Sequence, residues 1–150
     1  MAPRFTSRLD DVDWDALDLA LRADRFSNGR TPAQLQRSCE NSHAVVLALD
    51  DAPPGGAGRA AVVSMGRLLS DGVCNAYLVD VWTSSAHRHR GLATAVVRRL
   101  LQTVPGQHVG LWTEHARGFY ERLGFTPEAG GMSTVVGDWL GRIPPRPAGG

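Results

Sequence analysis

Apolar residues recur along this chain in two rhythms. From Gly91 to Val104 the rhythm is helical: Leu92, Ala93, Val96, Val97, Leu100 and Leu101 form one stripe, and Thr94, Arg98, Arg99 and Gln102 line the opposite face. Pro105-Gly106 ends that helix. A looser helical spacing runs through VDWDALDLALRAD (12–24), with Asp11 or Asp13 as its cap, and Thr31-Pro32 starts a second helix into AQLQRSC. Elsewhere the apolar runs are short and rich in β-formers. His43–Leu49, Arg59–Leu69 and Val73–Thr83 read as strands, and Phe5–Leu9 as a weakly alternating edge strand. The Pro- and Gly-rich stretch Asp50–Gly58 and the turn Ser70-Asp71-Gly72 join the three longer runs as hairpins. Beyond the main helix, His108–Trp112 predicts a short buried strand and Ala116–Leu123 a short helix closed by Gly124. Phe125-Thr126 turns into another strand, and Met132–Val136 is the last strand expected.

That order predicts an α/β (α+β) domain: a mostly antiparallel mixed sheet flanked by helices, with one strand–helix–strand crossover at its heart. One domain is expected over residues 1–142, with a disordered tail over 143–150. The net charge of +1 supplies no global field to recruit nucleic acid or an anionic membrane. Arg88, Arg90, Arg98 and Arg99 would make only a small basic patch. No apolar run reaches membrane-spanning length and the first ten residues lack a signal peptide's apolar segment, so a cytoplasmic protein is expected. Cys39 and Cys74 sit in apolar contexts without metal or redox spacing and are expected as buried thiols. The histidines show no metal-ligand spacing, so no metal is expected. All sixteen basic residues are Arg and Ile143 is the only Ile, a bias that points to a high-G+C bacterial source.

The most informative stretch is His87–Thr94, HRHRGLAT, where positive charge runs into a residue without a side chain at the mouth of the best helix. The first amides of a helix lack intrahelical acceptors and carry the positive end of its dipole, so they hold anions. Gly91 would let the backbone approach a phosphate closely, Ala93 keeps the next turn thin, and Arg88 and Arg90 add charge. A glycine relieving strain at a helix start beside solvated arginines is the competing account. Neither G-x-G-x-x-G nor G-x-x-x-x-G-K-[ST] is present, which removes the common nucleotide cradles.

Arg88-x-x-Gly91-x-Ala93 resembles the [QR]-x-x-G-x-[GA] motif of the GNAT superfamily of acyl-CoA-dependent N-acetyltransferases. Gly118–Phe125, GFYERLGF, is similar to the same superfamily's FYExxGF signature, and the likeness spans about residues 43–136. The resemblance implies a fold whose sheet splays open into a cleft for acyl-CoA. It implies that the amides of His89, Arg90, Gly91, Leu92, Ala93 and Thr94 cradle the CoA pyrophosphate. It also implies that the backbone of Val81, Trp82 and Thr83 pairs with the pantetheine arm like an added strand. Where many members carry an Asn three residues ahead of an Ala, this chain has Thr113 ahead of Ala116, which keeps one hydrogen bond but not an amide's pair.

Acetyl-CoA is therefore the expected co-substrate, with a primary amine, most simply of a small molecule, as acceptor in a ternary complex. A protein acceptor and a non-catalytic acyl-CoA sensor are the alternatives. The resemblance gives Tyr120 the part of proton donor to the departing sulfur. Asp80, in an otherwise apolar strand, would serve as base if dry, bind a cationic amine if wet, or pair with an arginine such as Arg67. Glu114 and His115 are the other base candidates, and relatives of this kind are often homodimers.

Overall fold

The computed structural model describes residues 2–51 and 58–141, which fall into two compact units, Met1–Thr113 and Glu114–Gly150. In the first unit, five strands form one sheet in chain order: β1 (Arg4–Thr6), β2 (Ala44–Asp50), β3 (Ala61–Ser70), β4 (Asn75–Thr83) and β5 (His108–Gly110). The first three pairings are antiparallel, while β4 and β5 run parallel because a helix crosses between them. The mixed, mostly antiparallel sheet expected from the sequence is what forms. β1 starts one residue earlier and ends three earlier than the weak alternation indicated. Most of the tip between β2 and β3, and the tail expected to be disordered, lie outside the described residues.

Helix α1 (Trp14–Ala23) is capped by Asp13, whose side chain accepts the Ala16 amide at 3.0 Å, which settles the choice between Asp11 and Asp13. Helix α2 (Pro32–Glu40) opens with a capping box: Thr31 accepts from the Gln34 amide while Gln34 accepts from the Thr31 amide. Both helices press apolar stripes on one face of the sheet. Leu17, Leu21, Leu35 and Cys39 pack there against Val45, Leu47, Leu49, Met65 and Trp82. Helix α3 (Leu92–Leu101) covers the other face, where Leu92 meets Ala48 and Val63. The period-2 alternation of β2 supplies both cores at once.

Gly66 on β3 is where α3 comes closest. A Cβ there would sit 2.8 Å from Val96 Cγ1 and 2.9 Å from Leu100 Cδ1, both residues fully buried. Opposite it lies an irregularity of β4. Arg67 pairs with Val79 and Met65 with Trp82, so Asp80 and Val81 together face the single residue Gly66. This is a β-bulge, with Asp80 in the left-handed region at φ 55°. Bulges bend and twist the strand that carries them, and here the sheet opens. β4 keeps β5 as a neighbour only over Asn75–Tyr77, and from Leu78 to Thr83 its pairing is with β3 alone among the described residues.

In the second unit, α4 (Arg117–Arg122) forms where the short helix was expected. Met132–Val136 does not form the expected strand. Its apolar side chains stand in solvent, Met132 and Val136 at 92% exposure, with left-handed glycines Gly130 and Gly137 on either side. β-propensity yields a strand only when another edge supplies hydrogen bonds, and no described strand does so here.

Two other expectations need correcting. Cys39 is buried, and burial pushes its thiol up to about 11, but Cys74 is exposed. Cys74 lies in the turn that Asp71 organises by accepting the amides of Val73, Cys74 and Asn75. Turn geometry, which the flanking apolar residues did not reveal, decides its exposure. Trp112 was expected in a buried strand, yet β5 stops at Gly110 and Trp112 is 62% exposed, as Trp139 is 55% exposed.

Candidate active site

The loop from β4 to α3 is built to present backbone donors. After a single 3-10 turn over Ser85–His87, the chain turns left-handed at His89 (φ 61°) and again at Gly91 (φ 75°), which is the N-cap of α3. Gly91 has no side chain to cap the helix. The amides of His89, Arg90, Gly91, Leu92, Ala93 and Thr94 donate to no other described residue, and the first return bond of the helix is Ala95 N to Gly91 O at 3.1 Å. His89, Arg90 and Gly91 are exposed, and a Cβ built on Gly91 meets nothing within 4 Å. A helix start without a cap, facing open space behind two left-handed residues, is a concave set of N–H groups suited to an anion. The competing account, strain relief alone, explains the glycine's φ but not the second left-handed residue, His89, two positions ahead of it.

Arg88, expected to add charge for the phosphate, has bonds toward β4 and α1. Its Nε donates to the Thr83 carbonyl at 3.2 Å and its Nη2 lies 3.7 Å from Asp24 Oδ2. The same Asp24 oxygen accepts the Trp82 indole N–H at 2.9 Å and the Ser85 amide at 3.1 Å. Burial opposes ionisation of Asp24, but these donors outweigh it and hold its carboxyl below the usual range. Trp82, only 3% exposed, is thus a fixed point of the core. Of the other arginines in the basic patch, Arg99 lies 4.0 Å over the Phe5 ring and Arg98 is exposed.

Asp80 is buried on the α1–α2 side of the sheet. Its Oδ2 accepts Arg30 Nη1 and Arg67 Nε, both at 2.6 Å, in ion pairs whose side chains are nearly or wholly enclosed. Burial alone would favour the neutral acid, yet the two guanidiniums win and keep the carboxyl below its ordinary range. Of the three parts open to it, base, amine ligand or arginine partner, the geometry matches the last. An oxygen already holding two charged donors is a weak proton acceptor. Sequence reading found Arg67 but missed Arg30, which arrives from the α1–α2 connection fifty residues away. The turn that delivers it, Asn28-Gly29 with φ 55° and 75°, was a legible Asn-Gly signal.

Tyr120 belongs to the second unit. It is half-buried between Phe119 and Phe125, edge-on to both at centroid distances of 4.9 and 5.6 Å. Burial raises its hydroxyl above the usual phenol value, so it stays protonated at neutral pH. Glu114 and His115 are exposed with their side chains 3.6 Å apart, and Thr113 is exposed at the end of the first unit. Val81 lies in the bulge, and the Thr83 carbonyl is already used by Arg88. Among the described residues, no three His, Cys, Asp or Glu side chains gather as a metal site would require. No described helix is long and apolar enough to cross a membrane.

An opened sheet beside an uncapped helix start, with both sequence signatures in order, defines a class, and the comparisons agree with it. The model of the acetyltransferase (GNAT) family matches residues 14–125, and the chain belongs to that family of acyltransferases, whose co-substrate is acetyl-CoA. Serotonin N-acetyltransferase 2, chloroplastic, of Oryza sativa subsp. japonica is 35% identical over 100 residues, 64% of this chain; the chain spans about half of that relative, 48% of its length. A protein from Deinococcus radiodurans assigned as an acetyltransferase superposes with a TM-score of 0.72 at 25% identity, covering 89% of this chain and 88% of the other. A GNAT-family protein from Xanthomonas campestris pv. campestris gives the same TM-score and identity over 91% and 94%. Glucosamine-6-phosphate N-acetyltransferase of Arabidopsis thaliana shares the fold alone, with a TM-score of 0.65 at 17% identity over 90% and 99%.

Proposed function

We propose that this protein transfers an acetyl group from acetyl-CoA directly to the primary amine of a small molecule. The observation that carries the reading is the row of amides from His89 to Thr94, unpaired among the described residues, at the uncapped start of α3 and within the family's own motif. These amides, with the exposed Arg90, hold the pyrophosphate. The free side of β4 past Tyr77, where Val81, Trp82 and Thr83 lie, takes the pantetheine arm in place of a strand. Thr113 contributes its hydroxyl on the far side of the opening.

Acetyl-CoA supplies the acetyl group as a thioester, already activated for transfer, so the chain needs no nucleophile of its own. Cys39, buried and with its thiol raised, is in keeping with that. Tyr120 keeps its proton at neutral pH and gives it to the sulfur as the carbon–sulfur bond breaks. Asp80 takes no proton in this reading. It fixes the bulge that opens the sheet, and the amine's proton passes to water, with Glu114 and His115 as candidate relays. A small acceptor is favoured over a polyanionic one by the near-neutral chain and by two arginines of the basic patch being occupied within the protein.

Two measurements test this. Turnover of an amine library followed by free-thiol release identifies the acceptor, and Tyr120→Phe with that acceptor should lower kcat by about ten- to a thousandfold while leaving acetyl-CoA binding near its original strength. Unchanged kcat removes Tyr120 from the chemistry. Calorimetry with CoA and with pantetheine should show much weaker binding of pantetheine; equal affinities contradict the cradle.

A further inference from the structure

The exposed loop that presents the unpaired amides makes few bonds of its own, so its position depends on what holds the chain leaving β4. One carboxylate reaches the strand, the turn and the loop together. Asp24 ends α1, whose Leu17 and Leu21 are locked in the core, and its backbone N–H closes that helix onto Ala20 and Arg22 carbonyls. Its side chain is 11% exposed. From there a single oxygen, Oδ2, reaches β4 through the Trp82 indole at 2.9 Å, the 3-10 turn through the Ser85 amide at 3.1 Å, and the loop through Arg88 Nη2 at 3.7 Å. Arg88 is in turn clamped to the Thr83 carbonyl. The other described ties stop short of the loop: Ser64 Oγ bonds the Trp82 carbonyl at 2.8 Å and the Thr83 hydroxyl at 2.9 Å, the Ser84 amide donates to the Val63 carbonyl at 2.9 Å, and His87 Nε2 meets Asp50 Oδ2 at 3.3 Å.

We infer that Asp24 is a positioning residue for the acyl donor, holding the β4–α3 loop at the distance from the pantetheine strand that one CoA molecule must span. The inference rests on the reading of that loop as the pyrophosphate cradle. The cradle and the pantetheine-pairing strand must sit at a fixed separation, because one ligand bridges them covalently, and Asp24 is the group bonded to both segments. Removing it leaves each half intact and loosens the spacing between them. A ligand that uses both halves then loses affinity, whereas a ligand that uses only the strand does not.

The test is steady-state kinetics with acetyl-CoA and with S-acetylpantetheine, a thioester that lacks the pyrophosphate, on the wild type, Asp24→Ala and Asp24→Asn. Asp24→Ala should raise KM for acetyl-CoA about tenfold, with kcat and the KM for S-acetylpantetheine within about twofold. Asp24→Asn keeps an oxygen for the two N–H donors and should recover most of the loss. Should Asp24→Ala fail to fold, Ser85→Pro deletes the Ser85 donor outside the core. Ser84, at φ −49° and ψ 137°, already has the backbone a residue before proline needs, and the same selective rise in KM is expected. An unchanged KM for acetyl-CoA in these variants overturns the inference, and so does equal weakening of both thioesters. If the wild type itself does not discriminate between the two thioesters, the cradle fails first, and the positioning role with it.

Discussion

Two left-handed turns flank the opening of the sheet, and they are held in opposite ways. At Asp80 an ordinary side chain sits at φ 55° inside the protein, with two guanidiniums 2.6 Å from one of its oxygens. At Gly91 the backbone sits at φ 75° in solvent, and neither its own N–H nor those of its neighbours donate to anything described. The difference separates the work of shaping a site from the work of binding at it. A residue with a Cβ pays about 1–2 kcal/mol to stand left-handed, so its partners must hold it there. Glycine stands there freely, which leaves its surroundings unbonded and available to a ligand. The bulge is satisfied from within, and the loop's amides donate to nothing described.

Substitutions at the two turns should therefore register on different instruments. Asp80→Ala removes the counter-charge of the buried Arg30 and the part-buried Arg67 and should destabilise the protein by about 3–5 kcal/mol, lowering Tm by roughly 10 °C. A melting curve that barely moves would mean the ion pairs do not hold the bulge. The same carboxyl gives a pH signature. Its folded pKa is depressed, so its contribution is fully present above the unfolded value near about 4 and is lost as pH falls through the folded value. Asp80→Asn should thus be less stable than wild type at neutral pH, and the gap should narrow in acid. A gap that stays constant from neutral pH into acid would assign the stabilisation to something other than the charge.

Next in size is the residue opposite the bulge. Gly66→Ala drives a methyl group into Val96 and Leu100, both fully buried, and should cost about 1–3 kcal/mol in thermal or denaturant unfolding. Because it lies behind the strand, any change in KM for acetyl-CoA should follow the loss of stability; a large KM effect in a well-folded Gly66→Ala protein would show that α3 transmits strain to the loop. Smallest in stability is Gly91→Ala. No atom obstructs its Cβ, so only the left-handed penalty of about 1 kcal/mol applies. Its KM for acetyl-CoA should rise several-fold all the same, since the methyl group enters the space where phosphate would sit. A Tm shift without that rise would reduce Gly91 to a helix cap.

Much of this was legible in the linear chain. The α3 stripe, the Thr31–Gln34 capping box, the Asp71 turn and the loop motif are local: residues within one or two turns of each other dictate them, and their spacing survives in the sequence. The failures are equally instructive. Met132–Val136 has the composition of a strand and no described neighbouring edge to pair with, and Cys74 has apolar neighbours in a chain that turns outward. Asp80 was recognised as unusual, but its use could not be read from its own surroundings.

By itself, then, the amino-acid order determined the helices and the longer strands, the uncapped helix start on which the proposed anion site rests, and the family to which the motifs point. The periodicity of side chains, the caps and the unpaired first amides of a helix are all properties of neighbours along the chain. Only the tertiary structure decided that Asp80 meets Arg30, that Asp24 joins Trp82, Ser85 and Arg88, and that β4 leaves β5 after Tyr77. Those side-chain contacts link residues fifty to sixty-four positions apart, and a charge buried by folding takes its partner from whatever the fold brings near it.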